Sequence, residues 1–303
     1  MDWQQRALRF INKAAAQELP SYHSVTSLAS WHGHRDFFKI ADNPLLEMLE
    51  ELAGQHPPDT VEPSVKVSPQ GIKASRLNLY YHHISWRPQL VQNIFQFYAR
   101  ACGEQGAVHG AALDYLLDKG FRLEDCEYLV VGLDQRESMN DTRLKIWFAL
   151  KSSLASMHFY QFPGALPVPD VSIMSRRTYL VGLDLAFSGL VTPKVYTVFP
   201  TSDVSILRDR FHLESRSLEL AARTPMVTVS LWPQPTLHLL LSGSVIARTL
   251  THPLQEKLSH QSPYILSVLP QEVEAGDIRH FNLYFKSGGV PSALKKDQGN
   301  WRP

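Results

Sequence analysis

The stretch Val130 to Leu150, VVGLDQRESMNDTRLKIWFAL, restricts the folds open to this chain more than any other. It reads as two strands joined by a polar turn, Ser138-Met139-Asn140-Asp141-Thr142, with apolar residues in both arms. The second arm alternates. Arg143, Lys145 and Trp147 fall on one face, and Leu144, Ile146 and Phe148 on the other. An ordinary half-buried strand turns its charges to water and its aliphatics inward. Here the charged face also carries a tryptophan, a residue poorly suited to open solvent.

The pattern recurs along the chain. Ser75 to Tyr81 places Arg76, Asn78 and Tyr80 on one face with Leu77, Leu79 and Tyr81 on the other. Arg177 to Phe199 repeats the hairpin: YLVGLDLAF echoes YLVVGLDQR, and the return arm carries Lys194 and Tyr196 two residues apart. Met226 to Ser242 is a fourth hairpin, turned by Trp232-Pro233-Gln234-Pro235, with His238 on its return strand. FNLYFK ends a fifth, with Asn282 and Tyr284 sharing a face. Arg76, Lys145, Lys194, His238 and Asn282 are thus each one supersecondary unit apart, the periodicity of an array or a closed barrel. A basic residue two positions from an aromatic suits a lumen that holds a phosphate beside an organic cation.

Between the hairpins lie helical spacings at Gln4 to Glu18, Asn43 to Ala53, Arg87 to Cys102, Gly106 to Leu117, Lys151 to Phe159, Asp203 to Arg223 and Pro253 to His260. The order is helix then hairpin, about five times over. About ten antiparallel strands in that order can close into an α+β barrel, one strand face lining the lumen and the other packed under a ring of helices. Residues 1–286 form this single domain, and the Gly- and Pro-broken stretch from Ser287 onward reads as a mobile tail.

Composition narrows the class. With 44% apolar residues and a net charge of +1, the chain is globular, and it lacks the basic surplus expected of a nucleic-acid binder. Cys102 and Cys126 sit in apolar contexts, which reads as buried thiols rather than a disulfide. The opening MDWQQR lacks the basic-then-apolar order of a secretory signal, and no apolar run is long enough to span a membrane. A cytoplasmic monomer without membrane or nucleic-acid partners is expected. His32 and His34 flank Gly33, with no further ligand placed by spacing, and read as loop histidines rather than metal ligands.

In their order and spacing, Glu62-Pro-Ser-Val-Lys-Val followed by Ser75-Arg76, GLDQR…LKIWF, the GLDL…KVY hairpin and the closing LYFKSG resemble the cyanobactin peptide prenyltransferases, whose fold is the ABBA (PT-barrel) type. The resemblance runs from about Gln5 to Lys286. It implies an enzyme that holds an allylic diphosphate in the barrel, usually with Mg²⁺, and transfers the prenyl group to a side chain of a ribosomally made, often macrocyclic, peptide. By position it implies that Arg76, Lys145 and Lys194 bind the diphosphate, with His238, Asn282 and Tyr284 around them. Tyr80, Trp147, Tyr196, Thr228 and Leu266 would shield the carbocation or line the prenyl pocket. Glu62 matches the acidic residue near the acceptor and would be the base. Two positions depart: Asn282 stands where a basic residue is expected on the last strand, and His238 stands where a tyrosine is common.

Asp134 and Asp184 occupy the same place in the two GLD copies, where they could ligate a metal or pair with lumen cations. No metal ligand is assigned from the sequence. Two other functions fit the pattern: a soluble prenyltransferase of small aromatic metabolites, and a non-catalytic barrel that binds an amphipathic phosphate. In the family that the chain resembles, aromatics at the base of the lumen restrict the enzyme to the five-carbon donor. The corresponding stretches here, Val227-Thr228-Val229 and Ile265-Leu266-Ser267, offer none. The resemblance therefore favours geranyl over dimethylallyl diphosphate and admits farnesyl, unless Trp232, Phe187 or His238 fills the space.

Overall fold

A computed structural model describes residues 42–82, 88–103, 126–150, 179–202, 204–224, 226–230, 235–250 and 263–285. Helix α1 (Pro44–Gln55) starts where Asn43 accepts a hydrogen bond from the Leu45 amide at 2.8 Å and a proline takes the first helical turn. Strands β1 (Thr60–Ser68) and β2 (Gly71–His82) form a hairpin, and α2 (Pro88–Cys102) follows. Then come β3 (Cys126–Gln135), β4 (Arg143–Leu150), β5 (Tyr179–Ala186) and β6 (Val191–Pro200). Helices α3 (Val204–Phe211) and α4 (Ser215–Ala221) lead to β7 (Met226–Ser230) and β8 (Thr236–Leu240). Helix α5 (Gly243–Thr249), β9 (Pro263–Val268), α6 (Pro270–Ala275) and β10 (Phe281–Phe285) complete the order.

Each strand pairs antiparallel with the next, and β1 pairs with β10, so ten strands close into a barrel. Closure leaves none of the described strands with an unpaired edge. The period-two alternation fixes what each face meets. Val61, Leu77, Leu79, Leu133, Leu144, Ile146, Leu183, Val229, Leu239 and Leu283 join the buried apolar cluster that also takes in Leu46 and Leu49 of α1 and Ile94 and Phe97 of α2. Burying each such side chain contributes about 1.5–3 kcal/mol, so the hydrophobic core lies outside the sheet, between strands and helices. The lumen thereby takes the polar and charged residues, with aromatics among them. This is the expected α+β barrel.

Two expectations are corrected. The helix read over Asp203 to Arg223 is two helices, because His212 takes φ of 52°, a left-handed conformation that a helix interior does not tolerate. The fifth hairpin is interrupted by α6, which ends where Gly276 adopts φ of 69°. Cys102 and Cys126 are both buried and are not joined in a disulfide. Among the described residues no helix is long and apolar enough to cross a membrane. The expected helices at Gln4 to Glu18, Gly106 to Leu117, Lys151 to Phe159 and Pro253 to His260, the His32–His34 loop and the tail from Ser287 lie outside the described residues.

Candidate active site

A cavity of about 760 Å³ opens into the lumen and is lined by six cationic side chains: Lys66, Arg76, Arg136, Arg143, Lys145 and Lys194. Two carboxylates, Asp134 and Asp184, share the wall, which leaves a surplus of positive charge even with the lining histidines neutral. The strands place these groups by register. Arg76 lies opposite Asp134, Asp134 opposite Arg143, and Lys145 opposite Asp184, all on the inward phase of the pleat.

Asp134 is the hub. Its carboxylate lies 2.7 Å from Arg136 Nη2, 3.4 Å from Arg76 Nε and 3.9 Å from Lys145 Nζ. Burial alone would raise its pKa, but Lys145, Arg76 and Arg136 together hold it well below the usual carboxylate range. Asp184 pairs with Lys194 at 3.8 Å. Burial lowers Lys145 to about 8, against the opposing pull of Asp134. Lys66 falls to about 8 as well, through burial and then the charges of Arg136 and Arg76. Two lysines of this wall therefore exchange protons just above neutrality.

Aromatic rings complete the cavity. Trp147, Tyr196, His238 and Tyr284 form a chain of contacts with centroids 5.6, 5.2 and 6.4 Å apart, and Lys145 Nζ sits 4.9 Å from the Trp147 ring. The glycines of the two GLD copies make the room. A methyl group at Gly182 would collide with the Ile146 carbonyl and the Trp147 ring, and one at Gly132 would lie 2.5 Å from Asn78 Oδ1. His238 Nδ1 is 2.6 Å from Ser267 Oγ, and burial followed by the fields of Arg76 and Lys194 lowers its pKa to about 3. His238 is thus neutral at physiological pH. Its Nε2, Trp147 Nε1 and Arg143 Nε are buried with no hydrogen-bond partner among the described residues, a concentration of unmet polar groups that marks a ligand site.

A second group lies farther along the lumen. Glu62 Oε1 accepts hydrogen bonds from Tyr80 OH at 2.7 Å and Asn78 Nδ2 at 3.1 Å, and Oε2 accepts one from Tyr264 OH. All three donors are neutral. Burial raises the Glu62 pKa, and the bonds from Tyr264, Tyr80 and Asn78 offset only part of that. A carboxylate offers about four lone-pair sites, so three donors leave one for a further proton. The chain thus carries one chamber for an anion and one buried carboxylate able to take a proton.

No protein-family model matches the chain, and no curated protein matches it. Among solved structures it is similar to a crystal structure of 6-dimethylallyltryptophan synthase from Micromonospora olivasterospora in complex with DMASPP and Trp, at 12% identity and a TM-score of 0.45. That alignment covers 95% of this chain and 98% of the other. A second structure, of a 6-dimethylallyl tryptophan synthase, is similar at 12% identity and a TM-score of 0.43 over the same shares of the two chains. At these values the site is read from this chain's own residues.

Of the residues singled out in the sequence, Arg76, Lys145, Lys194, His238, Asn282, Tyr284, Trp147 and Tyr196 all line the cavity. Glu62 and Tyr80 do not; they belong to the carboxylate–tyrosine group. Thr228 faces the lumen opposite His238. Leu266 is a correction: it lies opposite Leu239 and Leu283 in the helix-side core, while its neighbour Ser267 turns inward. Alternation within β9 puts only one of two successive residues in the lumen. Four members of the two groups were missed. Lys66 was signalled by its phase with Glu62 in the Glu62-Pro-Ser-Val-Lys run, and Arg143 by its phase with Lys145. Arg136 gave no signal beyond its neighbourhood. Tyr264 reaches Glu62 beside a register shift in the β9–β10 pair, which no sequence pattern announces.

The resemblance implies magnesium. Among the described residues no three His, Cys, Asp or Glu side chains gather into a possible metal site, and both cavity carboxylates are engaged with cations. That donor set does not fit a metal held by the protein, and no step below runs through one.

Proposed function

We propose that the barrel is a prenyltransferase that transfers an isoprenyl group from an allylic diphosphate to a side chain of a ribosomally made peptide. The observation that carries this reading is the six-cation wall set against a ring of aromatic faces in one buried cavity. A diphosphate leaving group concentrates negative charge as its carbon–oxygen bond breaks. Arg76, Lys145 and Lys194 are pre-positioned for that charge and need no reorganisation when it develops. Trp147, Tyr196 and Tyr284 present π-faces to the allylic cation and keep out the water that would quench it. The acceptor's nucleophilic atom bonds to the allylic carbon, and Glu62 takes the proton that atom loses. His238, being neutral, shapes the cavity and offers Nε2 rather than a charge.

The peptide acceptor rests on the sequence resemblance. The donor preference for geranyl over dimethylallyl now rests on Thr228 and Ile265 as the small or aliphatic lumen residues, since Leu266 faces away. The test is incubation with geranyl, dimethylallyl or farnesyl diphosphate and, in turn, a macrocyclic peptide, free tryptophan or a naphthol. Geranylated peptide is expected. Products formed only with tryptophan or naphthol would move the acceptor to small aromatics, and binding without diphosphate release would leave a non-catalytic barrel.

A further inference from the structure

Among the described residues two lining cations, Lys66 and Arg143, have no ion-pair partner, and Lys66 is the one at the closing seam of the barrel. Lys145 and Lys194 each have a carboxylate within 4 Å, at 3.9 and 3.8 Å. Lys66 lines the same cavity and makes no hydrogen bond or ion pair among the described residues. The strongest charges acting on it are mostly of its own sign: Arg136 beyond the end of β3, Arg76 on β2 and Arg143 at the start of β4, opposed by Asp134. Packing a half-buried lysine among three arginines is unfavourable unless an anion joins them.

Its position answers the departure on the last strand. In the β1–β10 pair, Lys66 is the direct partner of Asn282. Both side chains line the cavity, as neighbours across the closing seam of the barrel. Asn282 is already committed, since its Oδ1 accepts from Arg76 Nη2 at 2.5 Å. A lysine or arginine at 282 would repel Arg76, whereas asparagine holds it in place. We propose that Lys66 supplies, from the neighbouring strand, the diphosphate-binding charge that Asn282 lacks, so that the seam divides the two tasks: Asn282 orients Arg76, and Lys66 meets the phosphate. This rests on the diphosphate reading of the cavity.

Inorganic diphosphate is the probe, titrated calorimetrically into wild type, Lys66→Met, Lys66→Arg and the double variant Lys66→Met/Asn282→Lys, with melting curves for each. Wild type binds. Lys66→Met is expected to bind roughly tenfold to a hundredfold more weakly, the loss of one charged hydrogen bond, while melting no lower than wild type because a repulsive cation has gone. Lys66→Arg keeps binding within a few-fold, whereas the double variant does not recover the loss, because a lysine at 282 repels Arg76 and removes the Oδ1 that orients it. A Lys66→Met protein that binds diphosphate as wild type does overturns the assignment and leaves the cavity reading standing. A lower melting point without weaker binding also overturns it, since that is a structural lysine. Wild type that does not bind diphosphate overturns the cavity reading, and the role of Lys66 with it.

Discussion

Asp134 and Glu62 are two carboxylates of one lumen, each only 3% exposed, and the protein treats them in opposite ways. Asp134 lies among three cations and is held ionised, far below the usual carboxylate range. Glu62 is held by two tyrosines and an asparagine, and its pKa is raised. Burial is the same in both places, so the neighbours decide. A carboxylate tied to cations keeps its charge, and Asp134 ties Arg76, Arg136 and Lys145 together. One held by neutral donors can cross between its two states during a reaction. At neutral pH and below, the lumen is thus divided into a region of fixed charge and a region of exchangeable charge; above about pH 8 Lys145 and Lys66 lose theirs as well.

Removing a fixed cation should do most. Lys145→Ala and Lys194→Ala are each expected to reduce turnover by about a hundredfold or more, since a charged donor in a dry site contributes ~1.5–3 kcal/mol to binding and more where charge develops. Near wild-type rates in either folded variant would remove the distinction between the regions. Asp134→Asn and Glu62→Gln separate them by stability. Breaking a buried ion pair costs ~3–5 kcal/mol, so Asp134→Asn should melt well below wild type and regain part of the loss when inorganic diphosphate is added. Glu62→Gln keeps its neutral partners and should melt near wild type. Its kcat should fall about tenfold or more with donor affinity unchanged. Equal destabilisation by the two substitutions would show that the neighbours do not matter.

A smaller effect follows from pH. Lys145 and Lys66 have folded pKa values lowered to about 8, so both are charged below that value and neutral above it. An anion prefers the charged forms. Donor affinity should therefore be full at pH 7 and fall by about tenfold or more by pH 9, as binding must first return a proton to the lysines. Affinity that is flat over that window would place the diphosphate elsewhere. The smallest expected change is in chain-length preference: Thr228→Phe should shift it toward dimethylallyl diphosphate, measured by competition between donors.

The closed sheet was legible because period-two alternation recurs on β2, β4, β8 and β10. Leu77, Leu79, Leu144 and Ile146 name the helix side, and Arg76, Lys145 and Trp147 the lumen side, without knowledge of any contact. What alternation gives is a face, not a neighbour across the barrel. That Lys66 lies beside Asn282 depends on how the last strand meets the first, more than two hundred residues away in sequence. Leu266 was misplaced because a three-residue window was read as pocket floor, although a strand turns only alternate members inward. Tyr264 was missed because the β9–β10 register shifts beside it. The Asp of each GLD copy was left between two roles, and the geometry shows both Asp134 and Asp184 paired with cations.

The central claim is that the fixed-charge region binds a diphosphate and the exchangeable region handles the acceptor's proton. It is tested most directly by one experiment on wild type, Lys145→Ala and Glu62→Gln: calorimetric titration with geranyl diphosphate in the absence of any acceptor. Wild type and Glu62→Gln are expected to bind alike, and Lys145→Ala to bind at least about tenfold more weakly. Equal binding by all three proteins, or weakened binding confined to Glu62→Gln, would contradict the account.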